Sequence, residues 1–68
     1  MQHDHKQFVM QLKRLRAQRG WSQVVLSQRA GLTKEYLARL ELGQHDPSLT
    51  TLKKLAKALK VTVGELVE

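Results

Sequence analysis

Cysteine is absent from all 68 residues. That absence excludes a disulfide scaffold, a thiolate zinc site and a cysteine nucleophile together. Long apolar runs are missing as well. None exceeds three residues, as at Phe8-Val9-Met10 and Val24-Val25-Leu26. A bilayer span needs roughly 20 apolar residues, and a signal peptide also needs a longer core than this. A soluble intracellular protein is the expectation. Acids are scarce, six Asp plus Glu in all, and they are scattered along the chain. No glycine-rich phosphate loop occurs, and no nucleophile, base and orienting group fall at helical or turn spacing. Neither an enzyme nor a cofactor is expected.

What is present in excess is positive charge. Lys plus Arg number 12, giving a net charge of +6 and a pI near 10.2. Such a surplus favours a polyanion as partner over an acidic-ligand module. A mass of 7.8 kDa leaves room for one domain. Residues 1–6 read as a flexible polar tip and 7–68 as the domain itself. Chains this short bury only about 60% of their unfolded surface and are often helped by a second subunit. His3, Asp4 and His5 could hold Cu(II) or Ni(II) adventitiously, but no further ligands support them, so no functional metal is expected.

The apolar residues recur at helical spacing throughout. Phe8, Leu12 and Leu15 stand at i, i+4 and i+7, and Gly20 closes that helix. Ser22 can cap a second helix running to about Ala30, with Leu26 inward. Gly31 interrupts it. Thr33 can cap a third, with Leu37 and Leu40 inward, which Gly43 ends. The stretch Gly43-Gln44-His45-Asp46-Pro47 reads as a loop, because Pro47 cannot continue a helix. Ser48 opens a fourth helix with an apolar stripe of Leu49, Leu52, Leu55, Ala56 and Leu59. Lys53, Lys54, Lys57 and Lys60 read as its solvated face. Thr62 and Glu65 have capping-box spacing and open a short last helix. The fold class is all-α, with five short helices and no strand.

Gln23 to Leu42 carries the functional signal. Two short helices are joined by a turn of three or four residues with Gly31 at its start, which forces a steep crossing. A small residue is needed four before that glycine, and Ser27 is there. Leu26, Ala30, Leu32, Leu37 and Leu40 fall where both helices face the core. This is a helix-turn-helix pattern, formed by helices 2 and 3. Trp21, just before helix 2, reads as a core plug.

The strings Leu15-Arg16-Ala17-Gln18-Arg19-Gly20-Trp21-Ser22-Gln23, Ala30-Gly31-Leu32-Thr33, Leu40-Glu41-Leu42-Gly43 and Pro47-Ser48-Leu49 resemble the Cro/C1-type (XRE) helix-turn-helix family. So does the tail from Leu55 to Leu66, and the likeness covers roughly residues 8 to 67. Ser27, Leu42 and Lys60 depart from the family's usual Ala, Asn and Gly, and Val24 and Val25 replace polar residues. The resemblance implies a compact five-helix, lambda-repressor-like domain that binds double-stranded operator DNA as a homodimer. Docking helix 3 in a major groove would present Lys34, Glu35 and Arg39 to base edges. Gln23, Thr33, Tyr36, Gln44 and His45 would then lie at the sugar–phosphate backbone. The family also implies an internal ion pair between Arg16 and Glu41.

These readings lead to a sequence-specific transcriptional regulator, a repressor and autoregulator that binds a palindromic operator as a homodimer, acting in the cytoplasm on the nucleoid. No small-molecule ligand is expected. Val61, Val63, Leu66 and Val67 crowd more apolar surface into the last helix than so short an element can bury, and are expected at the two-fold interface. The alternative is an antitoxin or controller-type module whose main partner is another protein, docked on Val24 and Val25 or on the N-terminal tip.

Overall fold

The computed structural model describes residues 5–67; His3, Asp4 and the side chain of His5, on which the metal-binding reading rests, lie outside the described residues. Five helices follow one another: α1 (His5–Gln18), α2 (Gln23–Ala30), α3 (Lys34–Glu41), α4 (Leu49–Leu59) and α5 (Val63–Val67). Among the described residues there is no strand. α1 takes in His5 and Lys6, which composition alone assigns to the polar tip.

Hydroxyl side chains start the three central helices. Ser22, Thr33 and Ser48 accept hydrogen bonds from the backbone N–H of Val25, Tyr36 and Thr51, at 3.2, 3.1 and 3.1 Å. Each such cap is worth about 1 kcal/mol, because it satisfies an amide with no acceptor inside the helix. α5 begins with a full capping box. Thr62 N–H donates to Glu65 Oε1 at 2.8 Å, and Glu65 N–H donates to Thr62 Oγ1 at 3.0 Å.

One pair of backbone bonds ends four of the helices. After α2, Gly31 N–H reaches Gln28 O and Leu32 N–H reaches Ser27 O, the pattern that needs a left-handed residue at the turn. Gly31 supplies it at φ 70°. After α4 the same two bonds form, Lys60 N–H to Lys57 O and Val61 N–H to Ala56 O, but the left-handed residue is Lys60 at φ 58°. A β-carbon in that region costs about 1 kcal/mol. Lys60→Gly is therefore expected to raise the melting temperature by roughly 4–8 °C, as read by circular dichroism; a lowered Tm would contradict it.

The core is built from every helix. Phe8 and Leu12, Leu26 and Ala30, Leu37 and Leu40, Leu55 and Leu59, and Leu66 form one buried cluster. Two expectations are corrected here. Leu66, assigned to the two-fold surface, is fully buried, because α5 packs against both α1 and α4 and turns this side chain between them. Leu49, assigned to the inward stripe of α4, is 60% exposed. At about 100° per residue it lies roughly 120° from the side carrying Thr51, Leu55 and Leu59, in the first turn, where nothing covers it. Ser27 is buried without cost in unpaired polarity, since its hydroxyl donates to Val24 O at 2.8 Å. Trp21 is half-buried against the cluster, so part of the indole remains at the surface.

Candidate nucleic-acid interface

α2 packs against α3 across the turn that Gly31 opens, and α3 packs against α1. Leu37, Leu40 and Glu41 are the buried residues of α3, and they fix which side of the helix faces out. Opposite them stand Glu35 and Arg39, one turn apart and exposed. Lys34 is also exposed, at the first position of the helix. It lies about 140° around the axis from Arg39, with Glu35 between the two. None of the three makes a side-chain hydrogen bond or ion pair with another described residue. Their polar groups face water and remain available to a partner.

Behind that face lies a polar network. Arg16 Nε donates to Glu41 Oε2 at 2.7 Å and its second terminal nitrogen to Oε1 at 2.9 Å, a bidentate pair. The remaining guanidinium nitrogen donates to Trp21 O at 2.9 Å. The side chains are 21% and 4% exposed respectively. The hydrogen bonds to Glu41 raise the Arg16 pKa above its ordinary value; partial burial works against this and the Glu41 charge adds to it. A cation whose pKa is raised by folding contributes stability that is complete below its unfolded pKa and fades only as pH climbs through the folded one. On the arginine side, the pair is thus constant across neutral pH and weakens only in strong alkali.

Gln23, expected at a phosphate, is joined to this network: its amide nitrogen donates to Glu41 Oε1 at 2.9 Å. Glu41 thereby links α1, the first residue of α2 and the last of α3. Thr33 is occupied as the cap of α3. Tyr36 leans the other way, its hydroxyl 3.2 Å from Thr51 Oγ1 and its ring edge-on to His45 at 5.8 Å between centroids. Thr51 is itself bonded to Ser48. Tyr36 therefore braces the α3–α4 loop, on which Gln44 and His45 are both exposed.

Sequence reasoning missed the Gln23–Glu41 and Tyr36–Thr51 bonds. Both join residues 15 or more apart in the chain, and no local spacing announces such a contact. It also missed the two guanidiniums on Trp21, Arg29 at 4.6 Å and Arg19 at 5.6 Å from the ring centroid. Of the pair offered as a protein-docking patch, Val24 is 42% exposed and Val25 half-buried.

The family model for helix-turn-helix proteins matches residues 12–66. The chain belongs to the Cro/C1-type helix-turn-helix family. It is 39% identical over 56 residues to the immunity repressor of Bacillus phage phi105, covering 82% of this chain and 39% of that protein. An HTH-type transcriptional regulator of Sinorhizobium fredii is 43% identical over 54 residues, covering 79% of this chain and 70% of its own. The helix-turn-helix chain thus spans about two fifths of the phage repressor. Among solved structures it resembles the restriction-modification controller protein C.AhdI from Aeromonas hydrophila, with a TM-score of 0.85 and 38% identity. That match covers 88% of this chain and 91% of the controller. A hypothetical transcription factor from Neisseria aligns with a TM-score of 0.88 and 26% identity, over 96% of this chain and 79% of its own. No helix among the described residues of this family member is long and apolar enough to cross a membrane.

Proposed function

We propose that this helix-turn-helix protein is a sequence-specific transcriptional regulator, a repressor that binds a palindromic operator as a homodimer and controls its own gene. The free polar face of α3 carries the reading, and the repressor and controller relatives support it. Arg39 donates to the O6 and N7 edge of guanine, as Lys34 also can, and Glu35 accepts from the amino group of cytosine. Gln23 has two amide hydrogens; one serves Glu41 and the other serves a phosphate at the N-terminus of α2. Thr33 stands at the corresponding phosphate of α3. Tyr36, Gln44 and His45 meet the backbone from the braced loop. The protein works by occupying DNA, with no catalytic step and no cofactor, in the cytoplasm.

Footprinting on the region upstream of its own gene tests the reading. The expected result is a protected palindrome whose half-sites lie one helical turn, ~34 Å, apart. Uniform protection without any preferred site would overturn it.

The two-fold contact is assigned to α5, where Val67 is 42% exposed and Val61 and Val63 are half-buried. Val67→Asp is expected to convert the dimer to a monomer in sedimentation while leaving helicity intact. Leu66→Ala removes a fully buried side chain and should instead cost about 2–5 kcal/mol of stability. A dimer undisturbed by Val67→Asp would place the interface elsewhere.

A further inference from the structure

The positive charge of this chain is not concentrated on the helix that reads DNA. α3 carries Lys34 and Arg39 but also Glu35 and Glu41, and is neutral as a unit. α2 and α4, which pack against each other, carry Arg29, Lys53, Lys54 and Lys57 and no acid at all. Three of these cations converge. Arg29, Lys54 and Lys57, with the Gln28 amide, line an open groove of about 540 Å³ whose remaining wall is Ala30, Gly31 and Ala58. The small residues create the concavity, and the long basic side chains edge it.

None of the three cations is in an ion pair with a described acid. Arg29 is also held in place, its guanidinium 4.6 Å from the Trp21 ring centroid. Arg19 approaches the same indole at 5.6 Å and donates to the Leu59 carbonyl at the end of α4. A stacked guanidinium loses less freedom on binding an anion than a free one does. The groove sits at the C-terminal end of α2, whereas Gln23 and the Arg16–Glu41 network sit at its N-terminal end. α2 is about 12 Å long, so a phosphate held at Gln23 lies about one helix length from this groove.

We infer that the α2–α4 groove is a second phosphate-binding surface, which takes the backbone of a second DNA duplex while α3 holds the operator. Phosphodiesters fit the chemistry: a repeating anion, three cations spread over an open groove, and no base-reading geometry required. The inference rests on the DNA-binding reading above. It makes each protomer a bridge between two DNA segments, and assigns to Lys54 and Lys57 a role that sequence alone leaves to solvent.

The test uses the full chain and a duplex that the protein selects from random sequence. Immobilised selected duplex is saturated with protein and challenged with a labelled duplex of unrelated sequence. The wild type is expected to capture the second duplex, with a change in the emission of Trp21, the single tryptophan. The double variant Lys54→Gln, Lys57→Gln keeps Arg29 on Trp21 and removes two exposed charges. It should capture at least about tenfold less, with a salt slope lower by about 2, while its affinity for the selected duplex changes less than about threefold. Undiminished capture by the variant overturns the inference, as does absence of capture by a wild type that binds its selected duplex. A parallel loss of selected-duplex affinity would turn the groove towards the operator, and preference for polyglutamate over duplex would assign it to an acidic protein; either result also rejects it. Failure to select any sequence would instead remove the underlying functional reading.

Discussion

Arg39→Ala should abolish the specific footprint while leaving the fold untouched. The side chain is exposed on the outer face of α3 and has no partner among the described residues, so its removal should shift stability by no more than about 0.5 kcal/mol. At the operator, a bidentate arginine–guanine contact discriminates by about 1–3 kcal/mol. That is roughly 5- to 150-fold in affinity per subunit, and both subunits of a dimer lose it. Non-specific affinity should fall much less, and the salt slope by no more than about 1, because one base-reading side chain contributes little to phosphate neutralisation. Lys57→Ala is the control and should retain the footprint. Selection from random sequence should yield half-sites containing G·C pairs for the wild type, with relaxed preference at one position for the Arg39 variant. A consensus of A·T pairs alone would reject the assignment of Arg39, Lys34 and Glu35.

Glu41→Ala should act through the fold and lower both stability and DNA affinity. It leaves the Arg16 guanidinium, 21% exposed, without its carboxylate, and it frees Gln23 from the bond that holds it at the start of α2. Breaking a buried pair by removing one partner costs about 3–5 kcal/mol, less where water reaches one of the charges. A loss of about 2–4 kcal/mol is expected here. Against a total stability of about 3–10 kcal/mol for a chain this size, the melting temperature should fall by roughly 10–20 °C. Arg16→Ala strands the more deeply buried partner and should cost at least as much. The double variant should lose less than the sum of the single losses, with a coupling of about 0.5–3 kcal/mol. Thermal unfolding of the four proteins checks this, and an unchanged Tm in Glu41→Ala would remove Glu41 from its structural role. The two predictions separate cleanly: Arg39 changes recognition at constant Tm, and Glu41 changes both.

The helices and their ends are legible in the amino-acid order because the interactions that make them are local. Ser22, Thr33 and Ser48 cap amides three residues ahead, and Gly20, Gly31 and Gly43 take the positive φ that ends three helices. Even the anomaly at Lys60 follows from its position after Leu59. The exposed face of α3 is likewise fixed by the spacing of Leu37 and Leu40 within one helix. Tertiary structure decided matters that depend on how helices distant in sequence approach one another. Leu49 and Leu66 look equally apolar in the sequence; the packing of α5 between α1 and α4 buries the second, while nothing reaches the first. Glu41 gained Gln23 as a second partner only when the end of α3 met the start of α2. Positive charge was legible as a total, but not as a distribution. Folding left α3 electrically neutral and drew Arg29, Lys54 and Lys57 to one groove, because α2 and α4 pack side by side although 18 residues separate the end of one from the start of the other.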